Sequence, residues 1–215
     1  MNHFFTLHSY YKKLQWKGNE RIFCLSLQKT GTTSFGNFFE HFGYPVVRSD
    51  MANFRGWNRH WYMGAYNKIF SDPVFRHHQV FEDAPFWAKD FYKILHQQFP
   101  NARFILFTRD PKAWFNSLLA HGNGEILGDK RFHALNYERP DVIENPKFSL
   151  KDEGAYYTQF YENRNQEILD YFRPCPANFL HLTLEDADKW KKLATFVNLD
   201  IPEDFDIHAN KKKLL

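Results

Sequence analysis

The stretch Gln28–Ser34 (QKTGTTS) places a lysine, a glycine and a cluster of hydroxyl residues directly before a strongly patterned helix. Helix N-termini present free backbone N–H groups and the positive end of a dipole, so such a stretch can bind an anion. Gly31 lets the backbone approach the anion closely, and Lys29 adds a positive charge. Hydroxyl donors are supplied by Thr32, Thr33 and Ser34. The simpler alternative, that Thr32 or Thr33 caps the helix, explains only one of these hydroxyls.

The order of residues in this stretch differs from that of the ATP-binding loop. The ATP loop reads G-x-x-x-x-G-K-[ST], with the lysine directly after a glycine. Here Lys29 precedes Gly31, and no glycine lies upstream in the preceding apolar run. The pattern therefore argues against an ordinary ATP- or GTP-hydrolysing site.

A second candidate anion site lies in residues 104–119, FILFTRDPKAWFNSLL. Arg109 ends an apolar strand, and its guanidinium can hold a phosphate through two hydrogen bonds. Ser117 follows two turns into a helix that begins with Asp110 and Pro111, which suit a cap and a first turn. Taken alone, Arg109 fits a surface ion pair equally well, so its assignment depends on the loop at Gln28–Ser34.

Short apolar runs alternate with helical patterns along the chain. The predicted strands are Arg21–Leu27, Tyr44–Ser49, His78–Asp83, Ala102–Arg109 and Asn178–Thr183. Besides the helix after Asp110, helical apolar spacing occurs in residues 35–42, 87–95, 157–172 and 190–197. Continuous apolar strands separated by helices predict an α/β fold, a single three-layer domain with a central parallel sheet of about five strands.

Two segments lack this pattern. Residues 1–20 are interpreted as an N-terminal extension of a single domain that spans residues 1–215. Residues 121–150 contain Gly, Pro and many polar residues without helical or strand periodicity. Long loops inside compact domains are usually functional or disordered, and we expect this one to contact the substrate.

Composition narrows the class of protein. A chain of 215 residues with 43% hydrophobic residues can form one substantial core, and a net charge of +3 is too small to indicate nucleic-acid binding. No apolar run approaches the roughly 18 residues of a membrane span, and no signal peptide is recognisable. Cys24 and Cys175 have no metal-ligand spacing, so we expect free thiols, no metal and a cytoplasmic setting.

Together the two anion patterns resemble the signature of sulfotransferases that use 3′-phosphoadenosine 5′-phosphosulfate (PAPS). QKTGTTS is similar to their 5′-phosphosulfate loop, and Arg109 with Ser117 is similar to their 3′-phosphate site. The ending LHLTLEDADKWKKLATFVNLDIPEDF also resembles the family, so the resemblance covers nearly the whole chain. It implies a P-loop-like sulfotransferase fold, with PAPS as sulfuryl donor and adenosine 3′,5′-bisphosphate (PAP) as product. The implied cofactor-binding residues are Lys29, Thr30, Gly31, Thr32, Thr33, Ser34, Arg109 and Ser117.

The resemblance also implies two catalytic roles. The loop lysine of similar sulfotransferases follows the charge that develops on the departing phosphate, which assigns this role to Lys29. These enzymes place a His or a carboxylate as base two residues before a proline, and here that residue is Asp83 in VFEDAPFW. Asp83 alternatively caps the next helix, and Glu82 is the neighbouring candidate. Because side chains alternate along a strand, we expect only one of the two carboxylates to face the site.

One departure from the family bears on the acceptor. The cytosolic phenol and steroid sulfotransferases carry a Trp directly after the two Thr, where this chain has Ser34. Carbohydrate-directed and many microbial members tolerate Ser there. The expected acceptor is therefore a hydroxyl of a small molecule or glycan, with a carbohydrate or glycoconjugate favoured over a small phenol.

Two other functions remain open at this point. A small-molecule kinase needs the Gly-Lys order, which is absent, whereas a catalytically silent PAP-binding protein keeps Lys29 and Arg109 without needing Asp83. The lysine run Lys211–Lys213 fits a solvated tail. As in some relatives, it alternatively folds back on the 3′-phosphate.

Overall fold

Five parallel strands form one sheet in the computed structural model, which describes residues 20–145 and 147–207. The strands are β1 (Ile22–Cys24), β2 (Val46–Val47), β3 (Val80–Phe81), β4 (Arg103–Thr108) and β5 (Phe179–Thr183). Their order across the sheet is β2-β3-β1-β4-β5. The predicted α/β fold with a central parallel sheet is confirmed. Lys211–Lys213 and nearly all of the predicted N-terminal extension lie outside the described residues.

Eleven helices accompany the strands in the described part of the chain. They are α1 (Thr32–His41), α2 (Ser49–Phe54), α3 (Trp57–Tyr62), α4 (Tyr66–Phe70), α5 (Pro73–His77), α6 (Phe91–Gln98), α7 (Pro111–His121), α8 (Lys130–Asn136), α9 (Asp141–Glu144), α10 (Gly154–Phe172) and α11 (Lys189–Phe196). Helices α7 and α10 pack against each other.

Each face of the sheet has its own apolar core, because successive residues of a strand point to opposite faces. Ile22 and Cys24 of β1 belong to the core that side chains of α1 and α11 complete. Phe23, between them in sequence, belongs to a larger core with side chains of α6, α7 and α10. Helices therefore cover both faces of the sheet, which gives the three layers that the sequence predicts.

The register of the sheet brings three chain segments to one edge. Ile22 of β1 pairs with Val80 of β3 on one side and with Arg103 of β4 on the other. Because these strands are parallel, the segments that follow them leave the sheet at the same edge. Those segments contain Gln28–Ser34, Asp83 and Arg109, so the fold itself collects the predicted site residues.

Helix starts are partly as predicted. The carboxylate of Asp110 accepts a hydrogen bond from the backbone N–H of Ala113 at 2.7 Å, and α7 begins at Pro111, which confirms the predicted cap. The helix predicted from Trp87 begins only at Phe91. Asp90, directly before it, has a left-handed backbone with φ 58°, so the helix cannot extend back to Trp87.

The segment 121–150 contains regular structure that the sequence analysis does not predict. It includes α8 and α9, and the carboxylate of Asp129 accepts hydrogen bonds from the N–H groups of Arg131 and Phe132 at the start of α8. Phe132 and Val142 are buried and anchor the two helices. The expectation of a loop without regular structure is therefore wrong here. The sequence pattern misses these helices because seven and four residues are too few to show a clear 3.6-residue period.

Candidate functional site

The segment between β1 and α1 turns sharply at two residues with left-handed backbones, Lys29 with φ 70° and Gly31 with φ 93°. Gly31 is the N-cap of α1, so the cap position carries no side chain, and Thr32 and Thr33 lie inside the helix. The alternative that one of these threonines caps the helix is therefore not what the structure shows. A helix start without a capping side chain suits an anion that binds the first-turn N–H groups.

The loop is fixed by hydrogen bonds to three successive carbonyl oxygens, those of residues 27–29. The hydroxyl of Thr30 donates to the first of them. The indole Nε1 of Trp114 donates to the second at 2.9 Å, and Nη1 of Arg109 donates to the third at 3.2 Å. Thr30 is fully buried, so its hydroxyl serves the shape of the loop and does not face a ligand.

A cavity of about 550 Å³, called the donor cavity below, opens where this loop meets the ends of β3 and β4. The predicted site residues that line it are Lys29, Gly31, Thr32, Thr33, Ser34, Asp83, Arg109 and Ser117. Thr30 is the one predicted residue that does not. The lining also contains four residues that the sequence analysis does not single out, namely Gln28, Ser49, His121 and Leu184.

Two cations face the donor cavity. Neither Lys29 nor Arg109 forms an ion pair with any described residue. Burial lowers the pKa of Lys29; Asp83 opposes this effect and Arg109 adds to it. Nε of Arg109 is buried and has no hydrogen-bond partner among the described residues. Positive groups without acidic partners at the surface of a cavity suit an anionic ligand.

Asp83 follows β3, and its backbone is left-handed with φ 64°. Its Oδ1 accepts hydrogen bonds from the backbone N–H of Ala84 at 2.8 Å and from Nε1 of Trp87 at 3.0 Å. No helix begins at Asp83, because α6 starts only at Phe91, so the helix-cap alternative is not realised. Two hydrogen bonds to one oxygen fix the carboxylate, while Oδ2 makes none within the described residues.

Glu82, the neighbouring candidate, points away from the donor cavity. It is only 4% exposed, and its Oε1 accepts a hydrogen bond from Nη1 of Arg48 at 2.8 Å. It also packs on α1, since a Cβ added to Gly36 would lie 2.9 Å from the Glu82 carboxyl carbon. Burial raises the pKa of Glu82 to about 8, and Arg48 opposes this effect. The two carboxylates thus face different surroundings, but not through strand alternation, because β3 ends at Phe81 and the backbone of Asp83 is left-handed.

A second cavity of about 220 Å³, called the acceptor cavity below, adjoins the donor cavity. The two share four lining residues, which are Gln28, Ser49, Asp83 and His121. Hydrogen-bonding groups and aromatic rings complete the acceptor cavity, among them Asn53, Asn58, Asp129, His133, Trp87 and Phe132. Oδ1 of Asn58 is buried and has no hydrogen-bond partner in the described residues, so its capacity to accept a hydrogen bond is unused there.

Gln28, Ser49 and His121 are shared by both cavities but are not predicted as site residues. The position of each in the sequence nonetheless indicates a place near the site. His121 lies four residues after Ser117 on α7, so both are on one face of the helix. Gln28 and Ser49 follow β1 and β2, at the carboxyl edge of the sheet where ligands of α/β proteins bind.

The described residues contain no group of three or more His, Cys, Asp or Glu side chains that could hold a metal ion. None of their helices is long and apolar enough to cross a membrane. Cys24 and Cys175 are free cysteines. The expectations of a metal-free reaction and of a cytoplasmic setting remain predictions.

Comparison with known proteins places the chain in a family. The family described as "Sulfotransferase domain" matches residues 21–214. Among solved structures, a sulfotransferase from Alicyclobacillus acidocaldarius is 15% identical, with 90% of this chain and 87% of that chain covered and a TM-score of 0.49. No curated protein gives a significant match. Because the family match covers most of the chain, including Gln28–Ser34, Asp83 and Arg109, the chain belongs to the sulfotransferase domain family.

Proposed function

We propose that this protein transfers a sulfuryl group from PAPS to a hydroxyl acceptor. One observation carries the proposal, namely that a single cavity is lined both by the loop at Lys29–Ser34 and by Arg109 with Ser117. PAPS has a phosphosulfate at its 5′ end and a phosphate at its 3′ position, so it needs two separate anion sites. The loop accounts for only one of these two anion sites, and the second site is what favours PAPS.

The residues present fit PAPS at both ends. The start of α1 and the ammonium of Lys29 would hold the 5′-phosphosulfate. The guanidinium of Arg109, whose Nε has no partner in the described part of the chain, and the hydroxyl of Ser117 would hold the 3′-phosphate. When bound, PAPS supplies the sulfuryl group.

The chemistry assigns distinct tasks to two side chains. As the acceptor oxygen forms its bond to sulfur, the bond between sulfur and the phosphate oxygen breaks and its electron pair stays on the phosphate. Lys29 stabilises the charge that develops on this phosphate. Asp83 accepts the acceptor's proton on Oδ2, while Trp87 and Ala84 hold Oδ1.

The acceptor cavity favours a molecule with several hydroxyl groups. Asn53 and Asn58 offer amide donors and acceptors, and the rings of Trp87 and Phe132 offer flat apolar surfaces. A sugar presents hydroxyls at its edges and C–H groups on its faces, so it can use both kinds of surface. We therefore infer a carbohydrate or glycoconjugate acceptor.

An acceptor screen with radiolabelled PAPS tests this function. Glycan, phenol and amine sets are incubated side by side, and label in the glycan set is the expected result. Label in phenols alone would contradict the carbohydrate acceptor but not sulfuryl transfer. PAP binding without label in any set would instead indicate a catalytically silent PAP-binding protein.

The 3′-phosphate site predicts a preference between nucleotides. PAP is expected to bind at least about tenfold more tightly than 5′-AMP, because one charge-assisted hydrogen bond contributes about 1.5–3 kcal/mol. Arg109→Ala should narrow this gap, whereas Arg173→Ala, at an exposed arginine paired with Asp170, should leave it unchanged. Titration calorimetry with both nucleotides measures the gap. Equal affinities for PAP and 5′-AMP in the unsubstituted protein would refute the assignment.

Turnover is expected to require no divalent ion. Lys29 and the start of α1 neutralise the phosphosulfate directly, so no ion has to bridge its oxygens. The measurement is sulfuryl transfer in excess EDTA, with and without added magnesium. Loss of activity in EDTA that magnesium restores would point instead to a kinase-type site.

A further inference from the structure

Sulfuryl transfer requires the sulfur of the donor and the hydroxyl of the acceptor to meet at one point. In this protein the point is defined by the residues that line both cavities, which are Gln28, Ser49, Asp83 and His121. Asp83 has a role in the proposed function. His121 is the other titratable side chain of this group, and neither the family resemblance nor the proposed function uses it.

Helix α7 places His121 at the wall of the donor cavity. Ser117, which lines the donor cavity, is followed one turn later by His121, the last residue of the helix. Side chains four residues apart lie on the same face of a helix. The face that offers Ser117 to the 3′-phosphate therefore offers His121 to the region where the two cavities join.

The surroundings of His121 favour the neutral form of its imidazole. Burial lowers the pKa of His121, Lys29 adds to this effect, and Asp83 opposes it. Glu125 and His133 line a small adjoining cavity that His121 also lines. A neutral imidazole carries one N–H and is therefore a hydrogen-bond donor without adding a charge.

We propose that His121 is a catalytic residue that donates its imidazole N–H to an oxygen of the sulfuryl group during transfer, an inference that rests on the proposed function. In the transfer step, the bond between sulfur and the phosphate oxygen breaks, sulfur forms a bond to the acceptor oxygen, and the acceptor's proton moves to Asp83. His121 keeps its own proton throughout. Its contribution is to stabilise charge on the sulfuryl oxygens, where Lys29 serves the leaving phosphate.

Two substitutions at this position separate hydrogen-bond donation from other roles. Removing one donor to a developing charge typically lowers kcat by about 10²–10³-fold, so His121→Ala is expected to fall in this range. His121→Gln keeps an N–H donor and should recover most of the loss. PAP lacks the sulfuryl group, so both variants should bind PAP like the unsubstituted protein. His77→Ala is the matched control, since His77 is also the last residue of its helix and is exposed away from the described cavities.

The outcomes are distinct. An unchanged kcat in His121→Ala would overturn the inference while leaving the proposed function intact. A His121→Gln variant as slow as His121→Ala would also overturn it, because it would mean that the imidazole takes up a proton rather than donating a hydrogen bond. If the unsubstituted protein neither binds PAP nor transfers label from PAPS, the proposed function fails and the inference fails with it.

Discussion

Asp83→Asn is expected to lower kcat by about 10²–10⁴-fold, the usual contribution of general-base catalysis. The amide has nearly the size of the carboxylate and can still accept the hydrogen bond from Trp87, but it cannot take up the acceptor's proton at neutral pH. PAP affinity should be unchanged, because the residues proposed to bind its phosphates lie on the β1–α1 loop, at Arg109 directly after β4, and at Ser117 on α7. Steady-state kinetics with PAPS, together with PAP titration, measure both quantities.

Glu82→Gln is the matched control for this substitution. Its side chain is buried against α1 and bonded to Arg48, outside the donor cavity, so kcat should change far less than in Asp83→Asn. The reverse ranking of the two variants would move the role of base to Glu82. Full activity in both would mean that neither carboxylate is the base.

The second large effect is expected at Lys29. Lys29→Met keeps a side chain of similar length but removes the charge, and we expect kcat to fall by about 10²–10³-fold because the leaving phosphate is no longer stabilised. PAP affinity should also fall, since the same ammonium lines the donor cavity in which the nucleotide is proposed to bind. Rapid-quench measurement of a single turnover separates the chemical step from product release.

A control for the loss of a lysine is available on α7. Lys112→Met removes a charge at an exposed position that does not line the donor cavity, and its kcat should stay at the level of the unsubstituted protein. A kcat in Lys29→Met equal to that of Lys112→Met would remove Lys29 from the mechanism and leave the start of α1 to stabilise the charge on the leaving phosphate.

How well the sequence predicts the fold depends on the length of each element. β4 has a continuous apolar centre and α10 spans 19 residues, so both are recognisable from their pattern. Helices α2–α5 are five or six residues long and carry too few turns for a period to emerge. One signal is nonetheless present, because Asp72 and Pro73 begin α5 as Asp110 and Pro111 begin α7, and the Asp72 carboxylate accepts from the N–H of Val74 at 2.8 Å.

The residues of the candidate site also differ in how well the sequence predicts them. Lys29, Gly31 and Arg109 are predictable because the residue types of the loop and the end of an apolar strand can both be recognised in short stretches of consecutive residues. The inward hydroxyl of Thr30 is not, since its partner is decided by how the loop folds. His121 lines the donor cavity on α7, whose Trp114 hydrogen-bonds to the loop, and from sequence only the spacing of His121 from Ser117 indicates this position.

The three side-chain hydrogen bonds to the carbonyls of residues 27–29 have a consequence for binding energetics. Thr30, Trp114 and Arg109 hold the loop in shape through contacts within the protein itself. The conformational entropy of ordering these residues is therefore lost when the chain folds, and not when the nucleotide arrives. Binding to such a preorganised loop forfeits little further conformational freedom, so more of the attraction between the loop and the proposed phosphosulfate ligand would appear as affinity.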